Sequence, residues 1–190
     1  MRLFSKIESV YRSLKFKGKG VFLRLYLKLH GCHKIGKGLK CKEFPVFRSI
    51  PNSNIEIGNN VNIGYNISFD ISTSGKLILG NNVNLTQDII ISSIRLVSIG
   101  NDSLIAENVS IRDGDHECSL GKNINKQGLV ADEVNIGKDV WVAAGVRVLK
   151  GSIIKDGCVI ASNGVVTRKS MTSENSIYAG IPVKEISKRK

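Results

Sequence analysis

Residues 134–166 read VNIGKDVWVAAGVRVLKGSIIKDGCVIASNGVV, and a step of six from Ile136 meets a branched aliphatic residue every time: Val142, Val148, Ile154, Ile160, Val166. In a chain that is 42% apolar, six hits in succession are expected in roughly 0.5% of trials per phase. Self-similarity at a fixed period is the mark of stacked repeats. Upstream the same step passes through Ile99, Ile105 and Ile111, then Leu79, Leu85 and Ile91, then Ile57, Ile63 and Phe69. More weakly it reaches Ile35, Cys41 and Phe47. Eighteen positions follow the rule, interrupted by short insertions and one long one.

The residue after the aliphatic one is often Gly or Ala, as at Gly36, Gly58, Gly80, Gly100, Ala106, Gly137, Ala143 and Ala161. The segments IGNNV (57–61), LGNNV (79–83), IGNDS (99–103) and IGKDV (136–140) are near copies. Each predicts a short β segment and a turn, where Gly and Asn tolerate positive φ. Three such units make one coil of a triangular prism with its aliphatic residues inward. Six coils at the strand spacing of ~4.8 Å give a column of roughly 30 Å. Stacking buries a continuous core that no single coil has. Cys41 and Cys158 fall on inward positions and read as small core residues.

Charge is unevenly spread. The chain carries +12 overall, with +11 in residues 1–42, −3 in 43–167 and +4 in 168–190. Basic ends suit phosphates, acidic glycans or anionic lipid heads. In residues 1–34, a basic N-terminal arm, Leu3, Ile7, Val10 and Leu14 recur on one helical face beside Phe4 and Tyr11, with Lys6, Arg12 and Lys15 nearer the polar side. A second apolar segment, Val21–Leu29, contains Arg24 and Lys28 and is too short and too charged to span a membrane. The arm is expected to cap the open first coil, with a membrane-surface helix as the sharper reading. No signal-peptide cleavage pattern follows it, so the cytoplasm is the expected location, with a peripheral membrane position open. The four cysteines, Cys32, Cys41, Cys118 and Cys158, have irregular spacing and form neither a zinc pattern nor a disulfide framework.

The repeat resembles that of the hexapeptide-repeat acyltransferases, among them galactoside, maltose and capsular-sugar acetyltransferases, over about residues 35–183. The resemblance implies a mainly β fold: a left-handed parallel β-helix of about six coils over 35–170, with a loop at 116–133, a short helical N-terminal arm and a C-terminal tail at 171–190. The handedness comes from the resemblance alone.

The same resemblance assigns a site. The hexapeptide pattern stops at RDGDHECS (112–119), and in the family a histidine leading into such a loop is the general base, here His116. A sugar hydroxyl must lose its proton as it attacks a thioester, and imidazole, with a pKa near 6.5, suits that task. Asp88 falls where galactoside acetyltransferases place an asparagine facing the base, with Asp113 and Asp115 as rivals by proximity. DVWVAAGV (139–146) is similar to VWIGA-type segments, which implies the Ala144 N–H as oxyanion donor, Trp141 as a wall of the acceptor or pantetheine channel, and Ala143 as a cofactor contact. ASNGVVTRKS (161–170) resembles GAGSVVTKD, so Ala161, Ser162 and Thr167 are expected along CoA, with Arg168 and Lys169 on its phosphates. YAGIPVKEI (178–186) is similar to the AGNPAK signature and adds Lys184; Ile181 and Val183 depart from it.

These matches imply acetyl-CoA as co-substrate, a sugar or glycan acceptor, direct transfer to a hydroxyl and a homotrimer with CoA between adjacent prisms. N-acetylation of an amino sugar or an antibiotic, or a non-catalytic scaffold, are the alternatives. A metal site of the γ-carbonic-anhydrase kind needs three converging histidines, and the prism offers one. No basic face interleaves aromatics in the manner of a nucleic-acid binder.

Overall fold

The computed structural model describes residues 2–190, with side chains from Glu8 onward except Ser9. The expected helical positions Leu3, Phe4, Lys6 and Ile7 have side chains outside the described residues. A helix α1, Arg2–Leu29, opens the chain, and a three-sided parallel β-solenoid follows.

The eighteen six-step positions fall into three columns, one per face. On the first face the strands Ile55–Ile57, Leu77–Leu79, Val97–Ile99, Val134–Ile136 and Ile153–Ile154 stack in parallel, and Ile35 bridges to Ile57. The second face stacks Lys40–Cys41, Asn62–Tyr65, Asn84–Gln87, Leu104–Ile105, Trp141–Val142, Val159–Ile160 and Ser176–Gly180. Val46–Phe47, Ser68–Ile71, Ile90–Ser93, Ser110–Arg112, Arg147–Val148 and Val165–Val166 form the third. Register is set like on like: Ile63 pairs with Leu85, Leu85 with Ile105, Ile105 with Val142 and Val142 with Ile160. Seventeen of the eighteen side chains are buried. Phe47 is half-buried because the first coil has no coil before it; Tyr26 and Phe69 cover it at ring distances of 5.6 and 5.7 Å.

The corners obey their own rule. Asn60, Asn82, Asp102 and Asp139 all hold positive φ at the turn from first to second face, and Asn66, Asp88, Asn108 and Asn163 do so from second to third. Asn tolerates this conformation and ties it across coils: Asn82 Nδ2 donates to Asp102 Oδ1 at 2.7 Å, and Asn81 N–H to Asn101 Oδ1 at 2.7 Å. Insertions gather at the third corner. The step from Phe47 to Ile57 is ten residues, from Ile91 to Ile99 eight, and from Ile111 to Ile136 twenty-five.

Both ends of the prism are closed. Leu23 and Leu27 of α1 are each 1% exposed over the first coil. The helix runs unbroken through Gly18 and Gly20, where the sequence suggested two segments. Gly20 marks a close approach: an added Cβ would collide with the Leu39 carbonyl. At the other end, residues 171–190 supply more than a trailing segment. Ser176–Gly180 stacks on Val159–Ile160, and Val183–Lys188 folds back antiparallel to it. Tyr178 is buried there, its hydroxyl accepting from Ser173 N–H at 2.7 Å and donating to Glu185 at 2.9 Å.

Candidate active site

His116 leaves the prism at its third corner, on a hairpin. Gly114–His116 pairs antiparallel with Leu129–Ala131, placing His116 opposite Leu129. Glu117 N–H donates to Gly128 O at 2.9 Å, and Asp132 N–H to Asp113 O at 2.8 Å, closing the base. A 3-10 turn, Ile124–Lys126, forms the tip.

Asp113 anchors this base. Its side chain is fully buried and accepts from Ser93 Oγ and from the N–H groups of Ile94, Arg95 and Leu96, at 2.7–2.8 Å. Four donors satisfy a carboxylate that burial would otherwise make costly. Asp113 is therefore a positioning residue. The other rival, Asp115, lies beside His116 and pairs with Lys150 at 3.2 Å.

His116 rims a cleft of about 390 Å³ lined by Asp70, Ser72, Ser92, Arg112, Asp115 and Leu129, among others. Its imidazole is exposed. The lining offers hydroxyls, carboxylates and a guanidinium, the donor and acceptor mix that a polyol needs. The sequence reading missed Asp70, Ser72, Ser92 and Arg112. Their only signal was position: each follows a buried apolar residue on the third face, where the insertions begin.

Asp88 is not beside His116 within one chain. It sits at the second corner at φ 53°, accepting from Asn66 Nδ2 at 2.8 Å. The strand Ile90–Ser93 separates it from the cleft, about 10–13 Å of extended chain. Within the protomer the local work of Asp88 is that of a turn residue.

The expected cofactor residues divide between two edges. At the second corner Ala106, Ala143, Ala161 and Ala179 stack coil on coil, since Ile105, Val142, Ile160 and Tyr178 are in register. Small side chains leave a shallow track along this edge. Ala144 is beside it; its carbonyl accepts from Asn163 at 2.8 Å, while its N–H has no acceptor among the described residues. Ser162 is exposed, Lys184 pairs with Ala179 across the end hairpin, and Trp141 projects from the second face with 48% exposure.

Thr167, Arg168 and Lys169 lie at the third corner instead, on the edge that carries His116. Thr167 Oγ1 accepts from Lys169 N–H at 3.2 Å and lies 3.3 Å from Ser170 Oγ, so its hydroxyl closes a turn. Arg168 reaches Asp132 at the hairpin base, 3.0 Å away, so its charge is already partnered in the protomer. The alanine column, the Ala144 N–H and the exposed Lys184 lie along the second corner, and His116 lies at the third.

The comparisons with known proteins agree with this architecture. No family model matches the sequence. WbbJ of Escherichia coli (strain K12), named as a lipopolysaccharide biosynthesis O-acetyl transferase, is 34% identical over 142 residues, covering 70% of this chain and 71% of WbbJ. A Mycobacterium tuberculosis protein named as an acetyltransferase is 31% identical over 94% of this chain, which spans 56% of that longer protein. Among solved structures, AntD, an N-acyltransferase from Bacillus cereus in complex with dTDP and 3-hydroxybutyryl-CoA, superposes with a TM-score of 0.71. The match covers 86% of each chain at 17% identity, a likeness of fold.

Proposed function

The chain belongs to the hexapeptide-repeat acetyltransferases, and from that premise we propose that it transfers acetyl from acetyl-CoA to a sugar hydroxyl of a surface polysaccharide or its precursor. The observation that carries this reading is the polar cleft rimmed by His116 at the foot of a hairpin anchored on Asp113.

The acceptor hydroxyl gives its proton to a ring nitrogen of His116 as its oxygen attacks the thioester carbonyl. The charge gathering on the carbonyl oxygen is met by the Ala144 N–H, which needs no bond to be broken first. The carbon–sulfur bond then breaks, and the departing thiolate takes the proton back from the imidazolium. One base serves both halves, and no acyl-enzyme forms. The position of His116 and Ala144 on different edges of the prism supports a working homotrimer in which the base of one copy serves the alanine track of the next. The name carried by WbbJ supports a glycan acceptor, as does the density of hydroxyl and charged groups around the cleft.

Turnover of acetyl-CoA with candidate sugars, in wild type and His116→Ala, tests this. The substitution is exposed and leaves the circular dichroism and unfolding midpoint unchanged, while turnover falls at least ~100-fold. Full activity in the folded variant removes His116 as base. A matched amino sugar run in parallel distinguishes transfer to oxygen from transfer to nitrogen.

A further inference from the structure

Helix α1 carries two apolar faces, and the prism covers one. Leu23 and Leu27 point into the core, while Gly20 lies against Leu39. On the opposite side, at 100° per residue, Val10, Leu14, Val21, Leu25 and Leu29 form one strip, bordered by Tyr11 and Phe22. All seven are 56–86% exposed. The strip runs about 29 Å, well beyond the scattered hydrophobics of an ordinary surface.

Cations line both borders: Lys17, Arg24 and Lys28 on one, Arg12, Lys15 and Lys19 on the other. Arg12 pairs with Glu8, the single acid of the helix, and Lys19 donates to the Lys42 carbonyl at 2.8 Å. Lys15, Lys17, Arg24 and Lys28 have no carboxylate partner among the described residues. At the edge of the strip a cavity of about 500 Å³ opens between α1 and the first coil, lined by Lys17, Val21, Arg24, Lys40 and Asn60 among others. Arg24 Nε is buried beside it without a hydrogen-bond partner among the described residues.

We propose that α1 lies in the plane of an anionic phospholipid bilayer, with the strip in the acyl boundary and a headgroup phosphate in the cavity beside Arg24. An apolar face between two basic borders is the form of an interfacial helix. A second copy fits the same face poorly, because two such faces would set rows of cations together with their one acid already paired. No helix among the described residues is long and apolar enough to cross a membrane, so the helix lies on the surface.

The test is co-sedimentation of the full chain with vesicles of phosphatidylcholine, with and without phosphatidylglycerol. Binding is expected only with the anionic lipid and falls as salt rises. Leu14→Glu with Leu25→Glu, both at exposed positions, lowers partitioning at least ~10-fold with unchanged circular dichroism. Lys17→Ala and Arg24→Ala each lower it roughly fivefold. The proposal is overturned if wild type ignores anionic vesicles or if the strip variants bind as wild type does. It is also overturned if soluble glycerol phosphate abolishes vesicle binding, which leaves a phosphate site alone, or if the strip variants instead change molecular mass by light scattering, which marks a contact between copies. The measurement needs no acetyl transfer, so its failure leaves the enzymatic reading untouched, and the converse holds.

Discussion

At Asp113 one carboxylate accepts four hydrogen bonds, and three come from consecutive backbone N–H groups of a neighbouring coil. Asp113→Ala leaves those donors buried and unmet, which is expected to cost ~2–4 kcal/mol, read from the shift in urea midpoint at constant m. Because the same residue sets the hairpin base, turnover should fall too, whereas His116→Ala lowers turnover without touching the midpoint. The thiols give a second residue-scale test. Cys118 is exposed, while Cys32, Cys41 and Cys158 are buried. A thiol reagent should therefore modify one cysteine in the native protein and four in denaturant. Burial pushes the Cys41 thiol up to about 11. At about pH 7 both folded and unfolded chains keep that proton, and the contribution to stability is complete. As pH rises from about 9 to about 11 the unfolded chain releases the proton first, so stability declines by about 2 kcal/mol. Cys41→Val, similar in size, should show a shallower alkaline decline in the urea midpoint than wild type. The inward role of Cys41 was legible in the sequence, because it falls on the six-residue step. The role of Asp113 was not: a buried carboxylate and a loop carboxylate look alike until the corner beneath is built.

At the scale of elements, the corners divide the labour between aliphatic columns and asparagine ladders. Asn82 combines a φ of 56° with side-chain bonding to two coils, donating to Asp102 and accepting from Asn60. Asn82→Gly keeps the conformation and loses the bonding. Asn82→Ala loses both, at ~1–3 kcal/mol, and Asn82→Val costs most because its β-branch crowds the left-handed region. Thermal unfolding of the three variants should rank them in that order, and an equal effect from all three would mean the bond alone matters. The hexapeptide step made these faces legible, since inward positions repeat regardless of what fills the corners. Two elements resisted reading for physical reasons. The arm reads as two apolar segments, yet it is one helix, and Gly20 permits a close approach to Leu39, a contact invisible before the helix is docked. The hairpin over 114–131 has no alternation strong enough to predict its pairing, because its strands lie on the surface and bury no common face.

For the whole molecule, the decisive fact is that the site residues identified by resemblance occupy two edges of one prism. His116, Arg168 and Lys169 project from the third corner, and Ala143, Ala144, Ala161 and Ser162 from the second. Linear order conceals this: residues 161–170 read as one segment, yet the strand Val165–Val166 carries the chain from one corner to the next. A rigid solenoid with a buried column through every coil has no hinge to bring those edges together. If both serve one thioester, they come from two copies. The consequence is measurable by complementation. His116→Ala removes the base, and Ala144→Pro deletes the donor N–H, which holds no bond in the protomer. Each homomer is expected to be nearly inactive while keeping wild-type circular dichroism and mass. Denatured together in equal amounts and refolded, the two chains assort at random. About a quarter of the interfaces then pair an intact histidine with an intact alanine edge, so about a quarter of wild-type turnover returns. A site contained within one chain predicts no recovery at any mixing ratio, because every chain in the mixture lacks one of the two groups. Varying that ratio sharpens the outcome: recovered turnover should peak at equal amounts and fall symmetrically on either side, a dependence that residual activity of either parent cannot imitate.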